Sequence, residues 1–439
     1  MSNESTRFLD CNPSRMLRHW RVLCEEIGER RAGSPGETAA AEYVAGQFRK
    51  LGFEAQVEPF PCASLQSSNV ELHIQSGKGF RPVPARALAG APPTPGEREV
   101  TSDLVWVEMP EEAERLFTPA LKGKIVVLFG PLPTRVNLHR KLTSLSPAAV
   151  IHVDDRLPFE WLKDDGVYPL WTQRYGMPPT VTIPYRLAWD VRKQGPARAK
   201  LRVRLKQQEA LSQNVIAEIP GRRPGLPLVQ LSAHHDTQCN NPGADDNASG
   251  VIAVLELATL FRQTRPLRTI RFISFGTEEQ LSVGSSQYVE AHRRDLAQIG
   301  VVLNLDGLSS VLGHNLVIRA GLPELGTCLQ RQLARHGFDV NVSADIMPFA
   351  DHFPFSAFGI PAMTLSRTNM NSLMRWQHHS AFDNLDEVSL EQTVKAVRAL
   401  AGLVTFLSRR AHWPFGRGLS PGQRVQTLRY ARELYGLKV

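Results

Sequence analysis

Residues 233–250 read AHHDTQCNNPGADDNASG, which sets two histidines and three aspartates directly behind an apolar run, LVQLSA (228–233). Imidazole nitrogens and carboxylate oxygens are metal donors as well as acids and bases, so the stretch points to metal-assisted chemistry. Similar groups recur behind other apolar runs. Glu278 and Glu279 follow TIRFISF (269–275), Asp306 ends VVLNLD (301–306), and His378 and His379 lie in a loop after PAMTLS (361–366). Side chains of an extended segment alternate faces, so His234 and Asp236 share one face and His235 takes the other. Asp236 can then accept the spare ring N–H of a metal-bound His234 and fix its tautomer. Asp383, four residues after His379, is a candidate orienter of the same kind. On this argument His235 and His378 are bystanders.

The segment Pro242-Gly243-Ala244-Asp245-Asp246-Asn247-Ala248-Ser249-Gly250 has the composition of a turn entering a helix, and capping chemistry accounts for Asn247, Ser249 and one aspartate. The other carboxylate could bridge two cations, one on each oxygen. Adjacent glutamates behind a buried strand are costly unless one is a ligand and the other is protonated or hydrogen-bonded. Two imidazoles and three carboxylates form a nitrogen and oxygen set suited to zinc, with manganese or cobalt as alternatives, and two ions about 3.5–4 Å apart would share a water.

The elements that must position these groups are legible from periodicity. NVIAEIPG (214–221), LVQLSA, TIRFISF and VVLNLD read as strands, alternating with helical patterns at 247–262 and 285–296. This alternation predicts an α/β fold, with a mixed, largely parallel sheet sandwiched by helices. Ligands of such sheets bind beyond the carboxyl ends of the strands, where the polar residues above fall. LVIRA (316–320), PAMTLS and a helix starting at Ser389 complete the core. Upstream, Pro13 opens a helix with Leu17, Trp20, Cys24 and Ile27 on one face. Ser34-Pro35-Gly36-Glu37 reads as a capping box before a second helix, and FEAQVEPF (53–60) reads as a strand. Between 70 and 205 short β-like runs such as LVWVEM, KIVVLFG, AAVIHVDD and TVTIPY are separated by Pro and Gly, which predicts an inserted, mostly β domain. The expected division is therefore 1–69 as an N-terminal helical part of the catalytic domain, 70–205 as the insert, 206–412 as the core and 413–439 as a helical extension. The extension is expected to dock on its own domain rather than form a dimer contact.

Composition narrows the function classes. With 42% hydrophobic and 21% charged residues in 439, the chain can bury a sizeable core. The net charge of +8 is spread among acidic residues, with no basic block interleaved with aromatics, so nucleic acid is not an expected partner. The apolar run VIAVLELATLF (251–261) is too short to cross a bilayer and carries Glu256, so no membrane partner is expected either. MSNESTRFLDCNPSRMLRHW lacks the apolar centre of a signal peptide, and the expected location is cytoplasmic. The five cysteines have no CxxC spacing, which indicates neither a disulfide framework nor a zinc knuckle.

Taken in order, these motifs resemble the co-catalytic zinc exopeptidases, the family of bacterial leucine aminopeptidases, aminopeptidase Y and glutamate carboxypeptidases. NVIAEIPG resembles the family's lead-in strand, SAHHDT its HxD motif, and PGADDNASG its bridging-aspartate motif. TEEQLSVGS resembles the double-glutamate motif, NLDG the later aspartate, and HHSAFDN the last histidine with its following aspartate. The resemblance implies His234 and Asp306 on one zinc, Glu279 and His379 on the other, Asp246 rather than Asp245 as the bridge, Asp236 behind His234, and Glu278 as general base. LKGKIVVLFG and PTVTIPY resemble a protease-associated domain, expected to wall off the substrate or to offer a protein-contact surface.

The implied activity is release of amino-terminal residues from peptides, with Glu278 deprotonating a water shared by two zinc ions. Alternatives on the same scaffold are a carboxypeptidase or dipeptidase, a deacylase of N-acyl amino acids, a cyclising transferase, and a binding protein that has lost its metals. A carboxypeptidase would need a cation for the terminal carboxylate, for which Arg367 and Arg375 are candidates. The sequence also departs from the family pattern. EExGLxGS is replaced by EEQLSVGS at the same length, so the loop path is expected to survive with altered packing. SDHxxF becomes Ala350-Asp351-His352-Phe353-Pro354-Phe355, and Gly307-Leu308-Ser309 matches no specificity class.

Overall fold

The computed structural model describes residues 11–439 apart from 109–112, 131, 133–134, 155–159, 163–164 and 369–375. The chain divides into two compact units. One joins the residues up to Cys62 with Ala210–Val439, and the other is Ala63–Glu209.

The first unit is built on parallel strands Leu228–His234, Ile270–Phe275, Ile299–Leu305 and Ala362–Thr368, paired through one another in register. Antiparallel partners flank them: the end of Arg198–Ile219 beside Ile270–Phe275, and His314–Ala320 beside Ala362–Thr368. Strands covered on both faces need apolar residues at successive positions, and alternate side chains divide between two cores. Val229, Leu231, Phe272, Val301 and Leu303 face one core, with the helices Pro35–Lys50, Ser249–Phe261, Pro323–Ala334 and Leu390–Ser408. Leu228, Ile273, Phe275 and Val302 face the other, with Val283–Ala291, His352–Ala357 and Pro421–Glu433.

Ser249–Phe261 is buried on every side, which is why its sequence is apolar throughout. Its Glu256 is held by both guanidinium arms of Arg15, at 2.8 and 2.7 Å, and by the Asn12 N–H at 2.8 Å. That fork satisfies a carboxylate that burial would otherwise make costly. The C-terminal helix docks on its own unit, where Gln423 donates to Arg319 O and Ala344 O and accepts from Gly321 N. No described helix is long and apolar enough to cross a membrane.

The second unit is mostly β, as expected, and adds short helices that the sequence reading did not give. Val100–Glu108, Ile125–Phe129, Ala149–Val153 and Thr180–Thr182 pair in parallel, and parallel neighbours need crossovers. Helices Val136–Ser144, Pro169–Tyr175 and Tyr185–Lys193 lie among them. At nine, seven and nine residues they hold too few turns for a helical period to stand out in the sequence.

Candidate metal centre

Three neighbouring parallel strands end side by side. His234 pairs with Phe275, so Glu278 and Glu279 leave the next strand just beyond it. Asp306 directly follows Ile299–Leu305, whose Asn304 pairs with Ser232. Asp246 comes from the Ala244–Ala248 turn before helix Ser249–Phe261, and His379 from a turn after Ala362–Thr368.

The strand geometry orients His234 as alternation requires. Its Nδ1 lies 3.2 Å from the main-chain Asp236 O and 3.4 Å from Asp236 Oδ1, which leaves Nε2 facing Asp246 at 3.2 Å and both Glu278 and Asp306 at 3.9 Å. That Nε2 is buried and makes no hydrogen bond. The Asp236 carboxylate accepts the backbone N–H of Glu278 at 2.9 Å and of Glu279 at 3.1 Å, so one residue fixes an imidazole through its main chain and the turn of the glutamate pair through its side chain. His235 points away, to Ser274 Oγ, and burial lowers its pKa to about 4, which keeps it neutral.

The two adjacent aspartates have different partners. Asp245 Oδ1 accepts from Ser309 N and Oγ, so it ties the helix entrance to the loop after Asp306. Asp246 faces the histidines instead: Oδ1 lies 3.2 Å from His234 Nε2, and Oδ2 lies 3.7 Å from His379 Nε2. The glutamates diverge as well. Glu279 Oε2 meets His379 Nε2 at 2.9 Å and Gln238 Nε2 at 3.2 Å, whereas Glu278 Oε1 accepts from Ser282 Oγ.

Two residues lie elsewhere than alternation and spacing imply. His378 joins the cluster, with Nδ1 2.7 Å from Asp246 Oδ2 and its ring stacked on His379. Residues 376–379 form a turn, so the period-two rule that excluded His378 does not apply there. The carboxylate of Asp383, the candidate orienter of His379, instead braces the Ala244–Ala248 turn: its oxygens accept the N–H of Asp245 and of Asp246.

The electrostatics are those of a site built for cations. Burial, reinforced by Asp351, Glu279 and Asp306, raises the Glu278 carboxyl well above its usual range. Burial, then Asp246, raises Glu279 against the pull of His379. Burial opposes a charged His234, yet Glu278, Asp236, Asp246 and Asp306 outweigh it and raise its pKa. Among the described residues, two sets of donor atoms lie close enough to hold an ion: His234, Asp246 and Asp306, and Asp246, His378 and His379. Asp246 is common to both. Imidazole and carboxylate donors, with buried His234 Nε2 and Glu279 Oε1 lacking hydrogen bonds, fit zinc.

In the glutamate loop, Leu281 stands where the pattern EExGLxGS has glycine and has φ 70°, with Thr277 at 54° and Ser282 at 49°. Non-glycine residues rarely adopt this left-handed region, and their clustering beside the centre is local strain held by the surrounding contacts.

Residues 214–404 match peptidase family M28. The chain is 27% identical over 391 residues to aminopeptidase YwaD of Bacillus subtilis (strain 168), a match covering 85% of this chain and 80% of that protein. It is 26% identical over 300 residues to carboxypeptidase Q of Bos taurus, covering 65% and 63%. Its fold is similar to that of BSAP, a zinc aminopeptidase from Bacillus subtilis, with a TM-score of 0.73, 23% identity and coverage of 92% and 98%.

Proposed function

We propose that this chain, whose residues 214–404 match peptidase family M28, is a zinc-dependent hydrolase and a dizinc exopeptidase of the aminopeptidase type, releasing residues from the amino end of peptides. The observation that carries this reading is Asp246, whose two oxygens face two imidazoles, one at a strand end and one in a distant turn. In this reading His234 and Asp306 hold one zinc, Glu279 and His379 the other, and Asp246 bridges them.

Two zinc ions bound there would polarise the scissile carbonyl and acidify a shared water. The chain's own part is proton traffic and positioning. Glu278, held at Oε1 by Ser282, takes the proton of the attacking water and delivers it to the leaving amine. Asp236 keeps Glu278 in place through the backbone while it orients His234.

The arginine candidates bear on which peptide end is read. Arg367 is committed to the chain, donating to Ser310 O at 2.7 Å and Asn315 Oδ1 at 3.0 Å, which disfavours it as a clamp for a terminal carboxylate. Arg375 lies outside the described residues. The similarity to carboxypeptidase Q favours carboxypeptidase action as the second reading. A deacylase of N-acyl amino acids would use the same polarised carbonyl. We read the Ala63–Glu209 unit as protease-associated-like, and the buried thiols Cys11, Cys24, Cys62 and Cys328 suit a reducing cytoplasm.

Turnover of a dipeptide blocked at its amino end, compared with one blocked at its carboxyl end, tests the choice. An aminopeptidase cleaves only the carboxyl-blocked substrate. Cleavage of only the amino-blocked one would overturn the assignment in favour of a carboxypeptidase.

A further inference from the structure

Arg30 is fully buried, and its guanidinium is spent on main-chain carbonyls. Nε donates to His235 O at 2.7 Å, Nη1 to Leu23 O, Gly28 O and Pro242 O at 2.9, 2.8 and 2.6 Å, and Nη2 to Gly243 O at 3.1 Å. Its main chain is paired with Thr237, giving N–H to Thr237 Oγ1 at 3.0 Å and accepting Thr237 N–H at 3.2 Å. A desolvated guanidinium is expensive, and here oriented carbonyl dipoles offset the cost. Leu23 O and Gly28 O belong to Arg30's own segment, whereas His235 O comes from the loop after His234, and Pro242 O and Gly243 O from the loop before Asp245 and Asp246. One side chain therefore fixes the separation of two segments that carry proposed zinc ligands.

Glu37, seven residues on, reaches the third such segment. Oε1 accepts from Thr277 N at 3.0 Å, Thr277 Oγ1 at 3.1 Å and Ser212 Oγ at 2.7 Å, while Oε2 accepts from Gly33 N at 2.6 Å. Thr277 precedes Glu278. Two glycines make these approaches feasible. A Cβ on Gly243 would lie 2.9 Å from Arg30 Nη2 and 2.5 Å from Asp246 O, and one on Gly276 would lie 2.9 Å from Glu37 Oε1 and 2.3 Å from Ser212 Oγ.

We propose that Gly28–Glu37 is a clasp that sets the geometry of the metal centre, with Arg30 its principal positioning residue and Glu37 acting on the glutamate loop. This inference rests on the dizinc reading above. It differs from general fold support in a way that a second buried arginine makes measurable. Arg268 donates to Arg410 O, Pro227 O and Ala411 O, each at 2.7 Å, and lies over the Trp413 ring, so it performs the same main-chain bonding among segments that carry no proposed ligand.

The test is the zinc dissociation constant of the full chain, measured by competition with a chromophoric chelator, for wild type, Arg30→Lys and Arg268→Lys, with thermal unfolding of each chelated protein. Loss of a group that orients ligands should weaken zinc binding by about ten- to a hundredfold in Arg30→Lys and leave Arg268→Lys within about twofold of wild type, although both unfold at lower temperature. At saturating zinc, the remaining defect of Arg30→Lys falls on kcat rather than KM. Equal zinc affinity in the two arginine variants would overturn the proposal. Should Arg30→Lys fail to fold, Thr237→Val removes only the hydroxyl that accepts the Arg30 N–H; binding weakened several-fold supports the clasp, and unchanged affinity overturns it. A wild-type protein that bound no zinc would overturn the dizinc reading itself, a result distinct from zinc-binding variants of equal affinity.

Discussion

His234 Nε2 lies 3.2 Å from Asp246 Oδ1, although one residue ends a strand and the other belongs to the turn that opens the next helix. The opposite oxygen of Asp246 faces His379, so this carboxylate is where the two proposed zinc sites meet. Asp246→Asn leaves one strong donor oxygen and should lose zinc from both sites together. Metal content per chain after dialysis should fall well below one, with turnover reduced by at least about a thousandfold. A variant retaining two zinc ions would contradict the bridge.

Glu278 and Glu279 are separated by the same criterion. Glu278→Gln should keep both metals and the fold while kcat drops by about a hundred- to ten-thousandfold, the range for removing a general base. Metal analysis beside steady-state kinetics checks it. Loss of zinc would show that the two glutamates exchange roles.

Leu281 holds a left-handed backbone with a full side chain, at φ 70°. Leu281→Gly removes that steric cost and should raise stability by about 1 kcal/mol, net of the apolar contacts it forfeits. Urea unfolding of the two proteins measures it. A less stable variant would mean that the contacts of the leucine outweigh its strain.

Much of the centre is legible in the sequence because strands obey a short-range rule. The shared face of His234 and Asp236 follows from a period of two, and the location of Glu278, Glu279 and Asp306 follows from parallel strands ending side by side. The rule stops where the chain turns. His378 and Asp383 lie in turns, so sequence spacing gives no direction for their side chains. Arg30 and Glu37 are illegible for another reason: their partners beside the centre, His235 and Thr277, lie more than two hundred residues away. Glu37 occupies the capping-box position, and Ser34 does accept its N–H, but its carboxylate reaches Gly33 N and the distant Thr277. The helices of the second unit escape notice because two turns give no period.

Acid stability should carry the mark of His352, which is buried with Nδ1 2.6 Å from Thr364 Oγ1 and whose pKa burial lowers to about 3. A histidine with a depressed folded pKa must stay neutral to fold, whereas its unfolded form takes a proton near pH 6.5. The unfolded chain then binds more protons between these values, and stability falls as pH drops through about 6.5 towards 3. His352→Asn, compared with wild type in chelator, should reduce the loss between pH 7.5 and pH 5 by about 2 kcal/mol. Parallel pH profiles would show that His352 already titrates normally in the folded protein.

A peptidase centre of two zinc ions shows itself in metal content per chain on zinc-replete protein, paired with hydrolysis of an aminoacyl anilide panel before and after chelation. The expected result is about two zinc ions and release that chelation abolishes and zinc restores. Fewer than one zinc per chain under replete conditions, or hydrolysis that survives removal of the metal, would contradict it.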